Sequence, residues 1–196
     1  MKTEAIVAGH GGQGVLELAN WLAYYYLERG HHVAYTPSYG PETRGGKVKC
    51  YVVASDEPID SPVVEAPDLL VVMNVPSMDF VPLLRPGGTL VINTSLVAGT
   101  DLRRDVTVVP VPATELAAGL GRFAPEPGRD TSLAANAVML GAILARAGGA
   151  WEAERTTVES VFRHFLTDRK VVFVPLDLAA TELGFRSVAR PLPAPA

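Results

Sequence analysis

The feature that most constrains this 196-residue chain is a glycine cluster set directly behind its first apolar run. Glu4-Ala5-Ile6-Val7-Ala8 reads as a short buried strand, and Gly9-His10-Gly11-Gly12-Gln13-Gly14 follows without a gap. Val15, Leu18, Ala19, Leu22 and Tyr26 then recur at spacings of three and four, the mark of one apolar helix face. A strand that turns through G-x-G-x-x-G into a helix belongs in an open α/β sheet. The glycines permit a tight turn with exposed N–H groups, and the helix start adds partial positive charge. Gly9, Gly11, Gly12, Gln13 and Gly14 are therefore the first candidates for contact with an anionic ligand. The alternative role for the same glycines is strand–helix packing.

The rest of the chain repeats the alternation. Arg29-Gly30 ends the first helix with a residue suited to a left-handed cap. His32–Thr36 and Val48–Ala54 read as strands, the latter with one face more exposed. Leu69–Met73 is a continuous apolar run expected of a central parallel strand. Pro76–Leu84 reads as a short helix, Thr89–Asn93 and Val106–Val109 as strands, and Pro112–Leu120 as a helix. Beyond Gly121, Asp130-Thr131-Ser132 offers capping oxygens to a long apolar helix ending at Arg146. A second helix spans 151–165, and a short segment follows around Val171–Val174. The expected class is α/β: a Rossmann-like, doubly wound, mostly parallel sheet with helices on both faces. One domain is expected over residues 1–185, with a proline-rich C-terminal tail over 186–196.

Composition narrows the function. A net charge of −4 with scattered Lys and Arg leaves no basic footprint for nucleic acid. The apolar run before Gly9 is too short for a signal-peptide core, and the longest run, Leu133–Ala145, reads as a buried core helix rather than a membrane span, so a cytoplasmic location is expected. Cys50 is the only cysteine, which excludes an internal disulfide and cannot ligate an iron–sulfur cluster unaided. Its place in Lys47-Val48-Lys49-Cys50-Tyr51-Val52 predicts a packed strand position.

A nicotinamide dinucleotide would ask for an acid at the end of the second strand. Ala34-Tyr35-Thr36-Pro37-Ser38 has none, and no Gly-Lys-Ser/Thr follows the glycines to make a nucleoside-triphosphate loop. The second distinctive segment is Pro37-Ser38-Tyr39-Gly40-Pro41-Glu42-Thr43-Arg44-Gly45-Gly46. Its glycines and prolines specify a rigid irregular loop near the strand carboxyl ends, where open α/β sheets bind ligands. Arg44 supplies a planar cation able to grip a carboxylate or phosphate, and Ser38 and Tyr39 can hydrogen-bond a ligand. An Arg44–Glu42 pair with a structural role is the alternative. His10 lies in the turn, but no carboxylate is placed by sequence to orient it for acid–base work.

Gly9–Gly14, Ser38–Gly46 and the run Ser55-Asp56-Glu57-Pro58-Ile59 with Ser61-Pro62 together resemble the gamma subunit of 2-oxoacid:acceptor (ferredoxin) oxidoreductases. That family includes the pyruvate, 2-oxoglutarate and 2-ketoisovalerate enzymes. Asp68-Leu69-Leu70 and Leu133–Gly141 resemble its later segments, so the likeness spans nearly the whole chain. The resemblance implies an oxidoreductase subunit inactive alone, without a catalytic residue, metal or cofactor of its own. The complex would use thiamine diphosphate, [4Fe-4S] clusters and coenzyme A. Its partners would be alpha and beta subunits, with or without a ferredoxin-like delta subunit, and ferredoxin or another acceptor. Gly9–Gly14, Ser38, Tyr39 and Arg44 are where contacts with coenzyme A are expected. Pro175-Leu176-Asp177 and the proline-rich ending depart from the family pattern. The other class left open is a free-standing Rossmann-like protein that binds a nucleotide.

Overall fold

The computed structural model describes residues 2–39, 46–99, 103–148 and 150–189. Six strands, β1 (Lys2–His10), β2 (His32–Tyr39), β3 (Lys47–Ser55), β4 (Leu69–Val72), β5 (Thr89–Asn93) and β6 (Thr107–Val111), form one sheet ordered β2-β3-β1-β4-β5-β6. The β1–β4, β4–β5 and β5–β6 pairs are parallel, as the continuous apolar runs predict. Strand β3 is antiparallel to both β1 and β2. The reason is the short link over residues 40–46: it has room for a hairpin and none for the crossover helix that a parallel partner needs. The hairpin folds back so that β3 lies between β2 and β1. Each edge strand carries a proline, Pro37 on β2 and Pro110 on β6.

Alternation along β1 divides the core. Ala5 and Val7 face the layer built by α1 (Val15–Glu28), α2 (Ala113–Ala118), α3 (Ala135–Arg146), α4 (Trp151–Phe165) and α5 (Val174–Ala189). Ile6 and Ala8 face the other side, where the 3-10 helix Val75–Leu83 and connecting segments bring Val64, Val81, Leu84 and Val97 onto the sheet. Both faces are thus sealed, the second by thinner material. Cys50 sits fully buried on β3, where burial pushes its thiol up in pKa.

The helical layer is tied by specific contacts. Trp21 of α1 meets Phe162 of α4 edge-on, with ring centroids 4.9 Å apart. Buried Glu154 of α4 accepts hydrogen bonds from the Tyr25 hydroxyl and from Arg29 Nη1, the latter at 2.8 Å. Burial, then the bond to Glu154, drives the Tyr25 phenol well above its ordinary pKa. Helix α4 has the bounds its periodicity predicts. The segment after it differs: a 3-10 turn at Asp168–Phe173 leads into α5, which continues through Ala189. Sequence signals hid α5 because Pro175 and Gly184 read as breakers. Pro175 stands in the first turn, where its missing N–H is harmless. Gly184 marks the crossing with α3: a Cβ there would lie 2.7 Å from the Val138 carbonyl carbon. The reciprocal position is Gly141, whose Cβ would lie 2.7 Å from the Phe185 nitrogen.

Because backbone rather than a flexible side chain blocks that space, Gly141→Val forces α3 and α5 apart. We expect a loss of about 3 kcal/mol or more in urea unfolding, at or beyond the upper end of ordinary overpacking. An unchanged midpoint would contradict this crossing.

Candidate functional site at the carboxyl ends of the strands

The glycine turn stands at the carboxyl end of β1, and close packing fixes its two ends. Gly9 lies under Val15 and Met73; a Cβ there would come within 2.6 Å of Val15 Cγ2. Gly14 has φ +68°, and a Cβ on it would sit 2.8 Å from Asn136 Cγ on α3. The middle of the turn is different, since Gly11 and Gly12 face open space. Packing therefore accounts for Gly9 and Gly14, while Gly11 and Gly12 present backbone outward.

Gln13 holds the turn shut. Its Oε1 accepts from the His10 backbone N–H at 2.8 Å and from Asn74 Nδ2 at 2.6 Å. Asn74, buried just beyond β4, uses its own Oδ1 to accept from the backbone N–H (3.1 Å) and hydroxyl (2.8 Å) of Ser77. Asn93 plays an equivalent part at the end of β5. Its Oδ1 accepts from the Ala113 N–H at 3.1 Å, and its Nδ2 donates to Thr114 Oγ1 at 3.0 Å. The Gln13 carbonyl is thus committed to the fold, and only its amide nitrogen remains to meet a ligand.

Between this turn, the segment at Arg129–Ala134, the 3-10 turn at Asp168–Phe173 and the start of α5 lies a cavity of about 380 Å³. Gly11, Gly12 and Gly14 form one wall with the first turn of α1; Val15, Trp21, Leu166 and Phe173 make it largely apolar. Exposed Arg129 and Lys170 also line it. The Arg129 guanidinium lies over the Phe173 ring at 4.5 Å, which holds the cation in place. A smaller cavity of about 150 Å³, lined by Gly12, Gln13, Asn93, Thr114 and Leu133, opens on the other side of the turn.

The sheet register brings the start of the second motif, Ser38-Tyr39, to the pole of the glycine turn. Ser38 and Tyr39 pair with Lys49 and Val48, which in turn pair with Ala8 and Gly9. These two segments therefore stand level, two strand spacings or about 10 Å apart. Val48 between them lines the larger cavity, whereas Ser38 is half-buried on β2 outside its wall. Arg44 lies outside the described residues. The insertion of β3 also removes the geometric basis of a dinucleotide site, because the end of β2 no longer adjoins the turn.

The expected cap at Asp130-Thr131-Ser132 takes another form. Asp130 Oδ1 accepts from the Ser132 N–H at 2.9 Å, but Thr131 turns inward and donates to the Ala117 carbonyl at 2.7 Å. A 3-10 turn, Ser132–Ala134, then precedes α3. His10 Nδ1 is buried without a hydrogen-bond partner among the described residues. No group of three or more His, Cys, Asp or Glu side chains that could hold a metal occurs among them either.

Sequence reasoning missed Asp177 as a site residue. It stands in the first turn of α5, only 8% exposed, and lines the larger cavity. Among the described residues no hydrogen bond or ion pair reaches its carboxyl group; Thr181 engages only its backbone carbonyl. Burial alone pushes its pKa up to about 7. The available signal was an acid two residues after Pro175, at the very departure from the family pattern.

These observations define an α/β domain with an open cavity beside a glycine turn. A family model, pyruvate ferredoxin/flavodoxin oxidoreductase, matches residues 4–187, and the chain belongs to that family as a gamma-subunit type. It is 40% identical over 140 residues to the ketoisovalerate oxidoreductase subunit VorA of Methanothermobacter marburgensis. That match covers 71% of this chain and 27% of VorA, so the chain spans about a quarter of that relative. The crystal structure of a keto/oxoacid ferredoxin oxidoreductase gamma subunit from Geobacter sulfurreducens superposes with a TM-score of 0.73 at 26% identity, covering 95% of this chain and 98% of that one. A 2-oxoglutarate:ferredoxin oxidoreductase from Magnetococcus marinus, solved with 2-oxoglutarate, coenzyme A and succinyl-CoA bound, shares the fold with a TM-score of 0.74. It is 19% identical over 96% of this chain and 31% of that one. Among the described residues no helix is long and apolar enough to cross a membrane.

Because Asp177 has a higher pKa folded than unfolded, the native state holds its proton longer. Its contribution to stability declines as pH rises from about 4 to about 7 and stays low above that. Asp177→Asn keeps the shape and removes the charge, so urea unfolding should show the variant more stable than the parent near pH 8 and nearly equal near pH 4. Equal stability at both pH values would contradict a buried, unpartnered carboxyl.

Proposed function

We propose that this chain is the gamma subunit of a cytoplasmic 2-oxoacid:ferredoxin oxidoreductase, shaping a shared active site without carrying a redox centre. In that reading the complex converts a 2-oxoacid and coenzyme A to acyl-CoA, carbon dioxide, a proton and two electrons, which pass to ferredoxin. Thiamine diphosphate and [4Fe-4S] clusters belong to the alpha, beta and ferredoxin-like delta subunits, since a single buried cysteine cannot ligate a cluster.

One observation carries the placement of coenzyme A: the outward backbone of Gly11 and Gly12 shares a cavity with the cations Arg129 and Lys170. N–H groups at the start of α1 and two exposed cations suit phosphate oxygens. The apolar wall of Val15, Leu166 and Phe173 suits an aliphatic arm. Gln13 would contribute through its amide nitrogen, and Ser38, Tyr39 and Arg44 remain proposed contacts on the strength of their sequence motif alone. Exposed Val75, Leu96 and Leu133 stand at the same end of the sheet. That pole, rather than the sheet edges, is where the alpha and beta chains would cover this one.

Two measurements on the anoxically purified complex test this. The chain should copurify with thiamine- and cluster-bearing subunits; recovery as a stable monomer from its native source would defeat the reading. In the assembled enzyme, Arg129→Ala with Lys170→Ala should raise KM for coenzyme A about tenfold, on the scale of two partly exposed charge-assisted contacts, and leave KM for the oxoacid unchanged. Equal effects on both substrates would move the coenzyme elsewhere.

A further inference from the structure

We propose that Asp177 sets ligand selectivity in the cavity at the glycine turn: it admits a ligand that places an uncharged hydrogen-bond donor against its carboxyl group and excludes small, fully ionised anions. The inference rests on reading this cavity as the coenzyme-facing site, and it adds a residue and a discrimination that the reading does not require.

The cavity is electrostatically mixed. At the turn itself the start of α1 and the outward backbone of Gly11 and Gly12 favour anions, while the exposed cations Arg129 and Lys170 are offset in the lining by the exposed acids Glu17 and Asp130. Backbone donors at a helix start do not by themselves discriminate between one phosphate- or sulfate-like anion and another. Asp177 joins the same lining from the first turn of α5, over nine-tenths buried and with no partner for its carboxyl group among the described residues. A buried carboxyl without a partner costs stability, and neither cation in the cavity offsets that cost by pairing with it. Arg129 is instead stacked on Phe173, with Glu126 at 3.9 Å.

The other titratable groups facing the cavity come from each surrounding element. His10 belongs to the turn, Glu17 to α1, Arg129 and Asp130 to the segment before α3, and Lys170 to the 3-10 turn before α5. Glu17 and Asp130 are exposed or held at the surface, Asp130 by its bond to Ser132. Asp177 is the acid that a ligand entering the cavity meets in a desolvated setting. Ionised, it repels an anion there with little screening; protonated, it does not. A ligand whose charge stays at the turn and mouth, and whose inner end offers an N–H or O–H, gains a hydrogen bond in either state. Discrimination therefore tightens as pH rises through neutrality, driven by a group this chain itself supplies.

Sulfate keeps one charge state across the relevant range, so equilibrium dialysis of radiolabelled sulfate against the assembled complex reads the effect directly. At about pH 8, Asp177→Asn should bind sulfate about tenfold tighter than the parent, the order expected of one poorly screened unit charge; near pH 5.5 the two should agree. Binding of coenzyme A, measured by calorimetry on the same samples, should not tighten, so its preference over sulfate falls. His10→Gln should retain the parent's pH dependence. The proposal is overturned if Asp177→Asn gains no sulfate affinity at the higher pH, or if His10→Gln abolishes the dependence. Failure of Arg129→Ala to weaken coenzyme A would instead strike at the coenzyme reading, and the sulfate result stands apart from it.

Discussion

The pole that carries the glycine turn depends on one oxygen, Gln13 Oε1, which accepts from the turn's own His10 N–H and from Asn74 beyond β4. Packing fixes the loop at Gly9 and Gly14, and between them this double acceptance, with the Gln13 N–H bond to the His10 carbonyl at 3.2 Å, defines the stretch where Gly11 and Gly12 face open space. Sharing the oxygen couples the loop to the neighbouring parallel strand, and Asn74 extends the link into the next helix through Ser77. The backbone that faces the cavity is thus held from behind by buried amides. Binding need not first order it, which lowers the entropic cost of association.

The same physics explains why the elements could be read from sequence and their arrangement only in part. Strand β4 and helix α4 announce themselves by local patterns, a closed apolar run and a 3.6-residue repeat. The reversal of β3 depends on the length of the link after Tyr39, a property of connection rather than residue type. Helix α5 was masked because Pro175 and Gly184 have local meanings that tertiary context overrides: one opens the helix and the other lets α3 cross it closely. A propensity scale cannot distinguish a glycine that ends a helix from one that another backbone requires.

The site shows the same division. The glycine turn was visible because its chemistry is local, and the register of β3 places the start of the second motif at the same pole. That Gly9 and Gly14 serve packing while Gly11 and Gly12 face outward could not be read, since the difference lies in Val15, Met73 and Asn136 arriving from elsewhere. Asp177 lay more than 160 residues from the turn whose cavity it lines. Nothing near it in sequence indicates that it would be buried without a partner.

The prolines at the two edges of the sheet bear on how a chain like this avoids unwanted association. Pro37 and Pro110 each remove a backbone donor from an outermost strand, so neither edge offers an unbroken ladder for another chain to extend. A chain with such breaks at both outermost strands is guarded against edge-to-edge pairing. Its unpaired edges do not recruit copies of itself or of other nascent sheets, and growth into a continuous fibre-like ribbon is interrupted at both ends. Any specific association is then left to side-chain surfaces, which carry an identity that a bare peptide edge lacks.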